Sequence, residues 1–425
     1  SSSGGGGGSS DGGGDAELLF YLLRFLFWLT MEYPAIGIPG DIVVLIVVIR
    51  WWRRKNAPEV LTLSTSSAAA AAPAARLDGL RRFDPNFSEI TFNDFCYSLY
   101  ASAQHARGAA DLDRYVPYLS DAARNALRSR NPAGLTEVRG VVVGAMNIAS
   151  MRGLDTPQVT VAILFESNYT EITRTAETSF YVQEEWVLER RRDVLSPPPA
   201  KAKADHCPRC GAALQTRTDG SCPYCGVKIE SGAFQWYVRA VNLRTQETRG
   251  PLLTSNVPEQ GTERPTIYQA SFGHVRAAFE AAHAEFRWED FELRVREIAA
   301  ELQDAWTARD WERVRPLETE SLFQMHRYWI DAYERQRLRN VVADFRVTAV
   351  VPVKIDSDAF YESITVRIHA EGRDHTIDAS GRTVVGSGLQ IRQWTEYWTL
   401  IRTRTGTDGP KRACPNCGAP VAVGA

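Results

Sequence analysis

The stretch LQDAWTARDWERVRPLETESLFQMHRYWIDAYERQRLRNVVADFRVTAV, residues 302–350, decides the fold. Leu302 and Trp306 continue a face begun by Phe291, Val295 and Ile298, a spacing that defines one long helix. DWERVRPLE then leads to a second helix whose face is read as Leu322, Met325, Trp329 and Tyr333. Three strands follow: NVVADFRVTAVVPVKID (340–356), AFYESITVRIHAEG (359–372) and LQIRQWTEYWTLIRTR (389–404). Helices followed by a run of strands predict an α+β unit with helices on one face of a curved antiparallel sheet.

The same order stands earlier in the chain. In ITFNDFCYSLYASAQ, Phe92, Phe95, Cys96, Leu99 and Ala103 keep the spacing of one buried helix face, so Cys96 reads as a core residue. The segments VRGVVVGAMNIASM, QVTVAILFES and TSFYVQEEWVLERRRD read as strands. EEWVLERR around Trp186 matches EYWTLIRT around Trp398, and each precedes a Cys-Pro-x-Cys-Gly unit. The chain therefore reads as one domain in two copies, over 81–250 and 251–405. A Gly/Ser-rich segment (1–15), a hydrophobic region (16–55) and an Ala/Ser/Pro-rich linker (56–80) precede them.

FDPNFSEITFNDFCYSLYASAQHARGAADLDRYVPYLSDAARNAL and, more strongly, residues 302–350 with the closing YWTLIR resemble the Tim-forty-four-like family. That family comprises the mitochondrial inner-membrane translocase subunit that tethers the import motor and its bacterial membrane-anchored relatives. The resemblance implies two tandem cone-shaped domains like nuclear transport factor two, in which helices and a bent sheet enclose an apolar pocket. Candidates for that pocket are Trp306, Tyr328, Trp329, Tyr333 and Trp398, with most such aromatics expected in the core. The doubled domain and an inserted cysteine module depart from the family pattern, so its chaperone-tethering role does not carry over automatically.

That module is HCPRCGAALQTRTDGSCPYCG, a ribbon spanning 205–230. Cys207 and Cys210 are followed, after 11 residues, by Cys222 and Cys225. Four thiolates in two Cys-x-x-Cys turns suit a tetrahedral soft-ligand site, and with no open position the expected cofactor is structural zinc. Rubredoxin-like iron and a redox dithiol are the alternatives. His206 is read as a surface neighbour. FQWYVRAV returns as the next strand, making the ribbon an excursion from a sheet hairpin. Near the chain end, Cys414 and Cys417 supply half of a second site (406–425). The expectation is a natural chain that continues past Ala425 with the other pair and a closing strand, and that is processed or truncated before Ser1.

The hydrophobic region holds two runs. ELLFYLLRFLFWLTM (17–31) reaches roughly 22 Å as a helix, short of a roughly 30 Å hydrocarbon core, and reads as interfacial. IGIPGDIVVLIVVIRWW (36–52) reads as a single membrane helix. Trp51 and Trp52 form an interface belt, and Arg50, Arg53, Arg54 and Lys55 a cluster placed on the cytoplasmic side. The predicted location is the bacterial inner (cytoplasmic) membrane, single-pass, with the body cytoplasmic.

With 49 basic against 51 acidic residues, the chain makes no overall case for nucleic acid. No Walker loop, dinucleotide fingerprint, nucleophile elbow or HExxH occurs. His326, His369 and His375 have no carboxylate at an evident acid/base spacing, so no catalytic residue is assigned. The predicted partners are membrane lipid and a protein or membrane complex. The expected function is a membrane-anchored scaffold or adaptor, with a lipid or small-molecule binding module as the alternative.

Overall fold

The computed structural model describes residues 77–404 except 216, 218–220, 229–234, 251–252 and 254–260. The runs at 17–31 and 36–52, the cluster Arg50–Lys55, and Cys414 and Cys417 lie outside the described residues. Among the described residues no helix is long and apolar enough to cross a membrane.

Repeat 1 begins with helix α1, Glu89–Gly108, whose N-cap Ser88 accepts a hydrogen bond from the Thr91 backbone N–H. A 3-10 turn, Leu112–Tyr115, leads to α2, Asp121–Arg128, capped in the same way by Ser120. Strands β1 (Leu135–Arg152), β2 (Gln158–Thr173), β3 (Glu177–Arg191) and β4 (Tyr237–Thr248) form one antiparallel sheet in that order. Phe92, Phe95, Cys96, Leu99 and Ala103 are all buried in its core. The 3.6-residue period of α1 was therefore a sound guide.

Repeat 2 has helices α3 (Phe272–Ala282), α4 (Trp288–Ala308) and α5 (Glu320–Arg335), with a 3-10 turn, Trp311–Leu317, before α5. Its sheet pairs β5 (Leu338–Ser357) with β6 (Tyr361–Asp378), and β6 in turn with both β8 (Arg392–Thr403) and the short β7 (Thr383–Gly386).

The two repeats agree in backbone detail that no composition argument could reach. Register shifts in β1 at Arg139/Val142, Val143/Ala145 and Ile148/Ser150 recur in β5 at Ala343/Arg346, Val347/Ala349 and Pro352/Lys354. Such bulges bend a strand and increase its twist, so both sheets curve at the same places. The first of these shared bulges contains a left-handed residue in each copy, Gly140 (φ 59) and Asp344 (φ 52), and each long helix is followed by another, Ala110 (φ 56) and Arg309 (φ 60).

The repeats touch through α5, which packs on β1 as well as on its own β5. This is why its buried residues differ from the predicted face. Phe323 and Ile330 enter the repeat 2 core and Tyr328 and Ala332 are also buried, whereas Leu322 is exposed and Met325, Trp329 and Tyr333 are half-buried. A helix covered on two sides has no single apolar stripe for a periodicity to find. The Tyr328 ring lies where a side chain at Gly140 would begin, 3.1 Å from an added Cβ. A second contact between the repeats is polar: the Arg81 guanidinium donates to both carboxylate oxygens of Asp356 at 3.0 and 2.9 Å.

Candidate metal centre and the aromatic residues of repeat 2

Between β3 and β4 the chain leaves the sheet and forms two matching turns. Cys207 N–H donates to Ala212 O and Gly211 N–H to Cys207 O; Cys222 N–H donates to Val227 O and Gly226 N–H to Cys222 O. Gly211 (φ 76) and Gly226 (φ 68) hold the left-handed conformation that closes each turn and that a side chain would strain. The bridges His206↔Ala213 and Ser221↔Lys228 extend the turns into two small hairpins.

These turns bring the four sulfurs of Cys207, Cys210, Cys222 and Cys225 within 4.8 Å of one another. Cys210 Sγ and Cys222 Sγ are 3.9 Å apart, against the ~3.8 Å that a tetrahedral ion with ~2.3 Å metal–sulfur bonds requires. The four cysteines can hold one metal ion. Burial pushes the Cys207 thiol up to about 12. Burial acts the same way on Cys222, but the backbone N–H groups of Cys225 and Tyr224 turned on its sulfur outweigh it and draw the thiol down to about 7. One ligand is thus biased toward thiolate by the backbone N–H groups together with the neighbouring Cys207 and Cys225 thiols. His206 lies beside the cluster with its Nδ1 2.6 Å from Asp205, outside the thiol set.

The module is seated on repeat 1. Tyr118 OH donates to His206 O at 2.6 Å and Arg114 Nε to Leu214 O at 2.9 Å, while Leu214 and Ala204 are fully buried in the repeat 1 core. Where the strand returns, Val238 N–H donates to Tyr118 O and Ser120 N–H to Val238 O. The lead-in carries a buried ion pair, Arg190–Asp84 at 2.8 Å, with the guanidinium 4.8 Å from the Trp236 ring centroid. The fold of the cysteine module is therefore coupled to β4 and to the sheet edge that strand completes.

The five aromatic residues proposed for a pocket do not converge on one cavity. Trp306 and Tyr333 meet edge to face at 6.0 Å, and Trp306 also meets Trp311 at 5.9 Å. Tyr328 and Trp329 contact each other, with Tyr328 against repeat 1. Trp398 lies on β8, lining a narrow cleft with α4. The two best-formed cavities among the described residues hold about 10 Å³ each, the room of one water.

Sequence reasoning did not find the pairing of Glu318 with His326. Glu318, eight residues before His326, accepts from its Nδ1 at 2.7 Å and from Trp311 Nε1 at 3.0 Å, and the carboxylate is fully buried. The separation fits no simple helical spacing because Glu318 precedes α5 rather than lying on it. A buried carboxylate held by two donors is a satisfied structural group first; the imidazole is half-buried and carries no further described partner of an acid/base relay.

Residues 273–411 match the family model of the Tim44-like domain. The match runs from α3 through β8 and so spans the elements of repeat 2. No curated protein matches the chain.

Proposed function

We propose that this protein is a membrane-associated adaptor that holds a protein partner or complex at the cytoplasmic face of a bacterial inner membrane, with no catalytic step of its own. The observation that carries the reading is the Tim44-like domain at residues 273–411, since that family is a scaffold family. The hydrophobic runs before residue 56 and the basic cluster Arg50, Arg53, Arg54 and Lys55 supply the membrane side of the proposal. In the same reading the four cysteines hold zinc as a structural staple, and Cys414 and Cys417 contribute to a second site.

The alternative, a lipid or small-molecule carrier, needs an enclosed cavity. An acyl chain requires far more than the about 10 Å³ available in either cavity. The adaptor reading is therefore preferred.

The test is purification of the full chain from detergent-solubilised membranes after in-cell crosslinking, with mass spectrometry of what is retained. A stoichiometric, membrane-derived protein partner is expected, and protease added to intact spheroplasts should leave the Trp398 region uncut. A chain recovered from the soluble fraction with no retained protein would sink the proposal.

A further inference from the structure

We infer that repeat 2 presents, at Glu396 between Trp394 and Trp398, a surface site for an arginine side chain of a protein partner. The inference rests on the adaptor reading and names the chemistry of one contact within it. Its template is internal, because repeat 1 has the same site already filled by its own arginine.

In repeat 1, Trp186 on β3 donates its indole N–H to Glu184 at 2.7 Å. That carboxylate is fully buried, so it needs compensation. Gln104 from α1 donates to it at 3.1 Å and the Arg130 guanidinium at 2.7 Å. The Tyr100 ring closes the space, 4.7 Å from Phe165 and 5.0 Å from Trp186, with its hydroxyl 2.6 Å from Ser167.

Repeat 2 repeats the frame and omits the filling. Trp398 pairs across the sheet with Val366 as Trp186 does with Ile163, and Trp398 again donates its indole N–H to the glutamate two residues earlier, Glu396, at 2.7 Å. Glu396 lies opposite Ile368 where Glu184 lies opposite Phe165, and Trp394 lies opposite Ala370 where Val182 lies opposite Ser167. In step along α1 and α4, Gln104 corresponds to Gln303 and Tyr100 to Ala299. The tyrosine, its hydroxyl partner and the phenylalanine have thus become Ala299, Ala370 and Ile368, three coordinated losses that leave the cleft of about 10 Å³. Glu396 is exposed, and among the described residues no cation pairs with it.

The missing piece is the guanidinium. In repeat 1, α2 ends at Arg128, which lets Arg130 turn inward. In repeat 2, α5 continues to Arg335, and the residue in step with Arg130 is Trp329, held within the helix. A planar guanidinium from outside suits the vacancy: it can fork onto Glu396 while lying against two indole faces, an arrangement lysine fits less well. Such an arrangement needs a surface carboxylate and flat walls and no enclosed volume. It would serve as one anchor of a larger interface.

The test follows the Trp398 signal by fluorine NMR in the full chain, labelled with 5-fluorotryptophan in detergent micelles and assigned with Trp398→Phe. Nα-acetylarginine N-methylamide should shift that signal saturably, with the isosteric, uncharged citrulline analogue weaker by about tenfold. Glu396→Gln, a surface change that spares folding, should abolish the shift, and Ala299→Tyr should do so by restoring the plug of repeat 1. Equal response to citrulline, or a Trp398 shift driven by dodecylphosphocholine and unaffected by E396Q, overturns the site. Partner recovery separates this idea from the one beneath it. Crosslinked partner falling about tenfold in E396Q supports both, whereas unchanged recovery overturns the site and leaves the adaptor standing. If wild-type chain retains no partner, the adaptor reading fails, and with it the partner role of this site.

Discussion

Leu112, Leu119 and Leu127 in repeat 1 and Trp311, Glu318 and His326 in repeat 2 occupy the same three places in step along the chain, yet one set is a hydrocarbon trio and the other a hydrogen-bonded triad. The leucines are all but inaccessible, and the returning strand closes over them through the bridge Leu119↔Val238. The triad retains a half-buried imidazole. The same backbone frame accepts either solution because each is complete: packing satisfies the first, and two donors on one carboxylate satisfy the second. Repeat 1 is a sealed structural unit stapled by its ribbon. Repeat 2 leaves polar and aromatic groups facing outward, where recognition is possible.

The largest effect that would break this contrast is removal of the metal. Cys222→Ser, or a strong chelator, should cost repeat 1 on the order of 5 kcal/mol or more while leaving repeat 2 nearly intact. Hydrogen exchange resolved by mass spectrometry measures this, with protection lost in β3 and β4 and retained in β5 and β6. Equal loss in both repeats would show that they do not differ as described.

The two glutamate–tryptophan pairs give the next effect. Glu184→Gln leaves the buried Arg130 without its counter-charge and should cost about 3–5 kcal/mol by chemical denaturation. Its counterpart Glu396→Gln should cost no more than about 0.5 kcal/mol. Comparable losses would mean Glu396 is structurally engaged.

The triad itself can be converted. Glu318→Leu alone strands the Trp311 N–H and should cost about 1–3 kcal/mol, as should His326→Leu, which removes one of two donors to a buried carboxylate. The double variant, which restores the repeat 1 chemistry, should recover part of that loss. Additive losses in the double-mutant cycle would show that the pair is not coupled.

The smallest effect concerns what joins the repeats. Burial opposes the charge on Asp356, but the Arg81 guanidinium outweighs it and holds the carboxyl below its usual value. A depressed folded pKa contributes stability that is present above the unfolded value, about 3.9, and is lost as pH falls through the lower folded value. Asp356→Asn should therefore cost about 1 kcal/mol at neutral pH and nothing further in strong acid. A cost that grew on acidification would contradict the assignment.

How much of this was readable in advance depends on the range of the interaction. The face of α1, the pairing of Trp186 with Trp398 and the spacing of Cys207, Cys210, Cys222 and Cys225 are local patterns set by helix period, strand alternation and turn geometry. The burial of Tyr328 and Ala332 was not legible, because it depends on a second repeat pressed against α5. Neither was Glu318 beside His326, nor Arg130 beside Glu184, since each joins a loop or chain turn to a separate element. The candidate metal centre was legible in full for its first four ligands.

The clamp at Arg81 also has a mechanical meaning. Leu77 and Leu80 are buried in the core of repeat 1, and one residue later Arg81 grips Asp356 at the end of β5 in repeat 2. Tension delivered to the described body at Leu77 is therefore divided at once between two hydrophobic cores. The load reaches repeat 2 through this one ion pair as well as repeat 1 through Leu77 and Leu80.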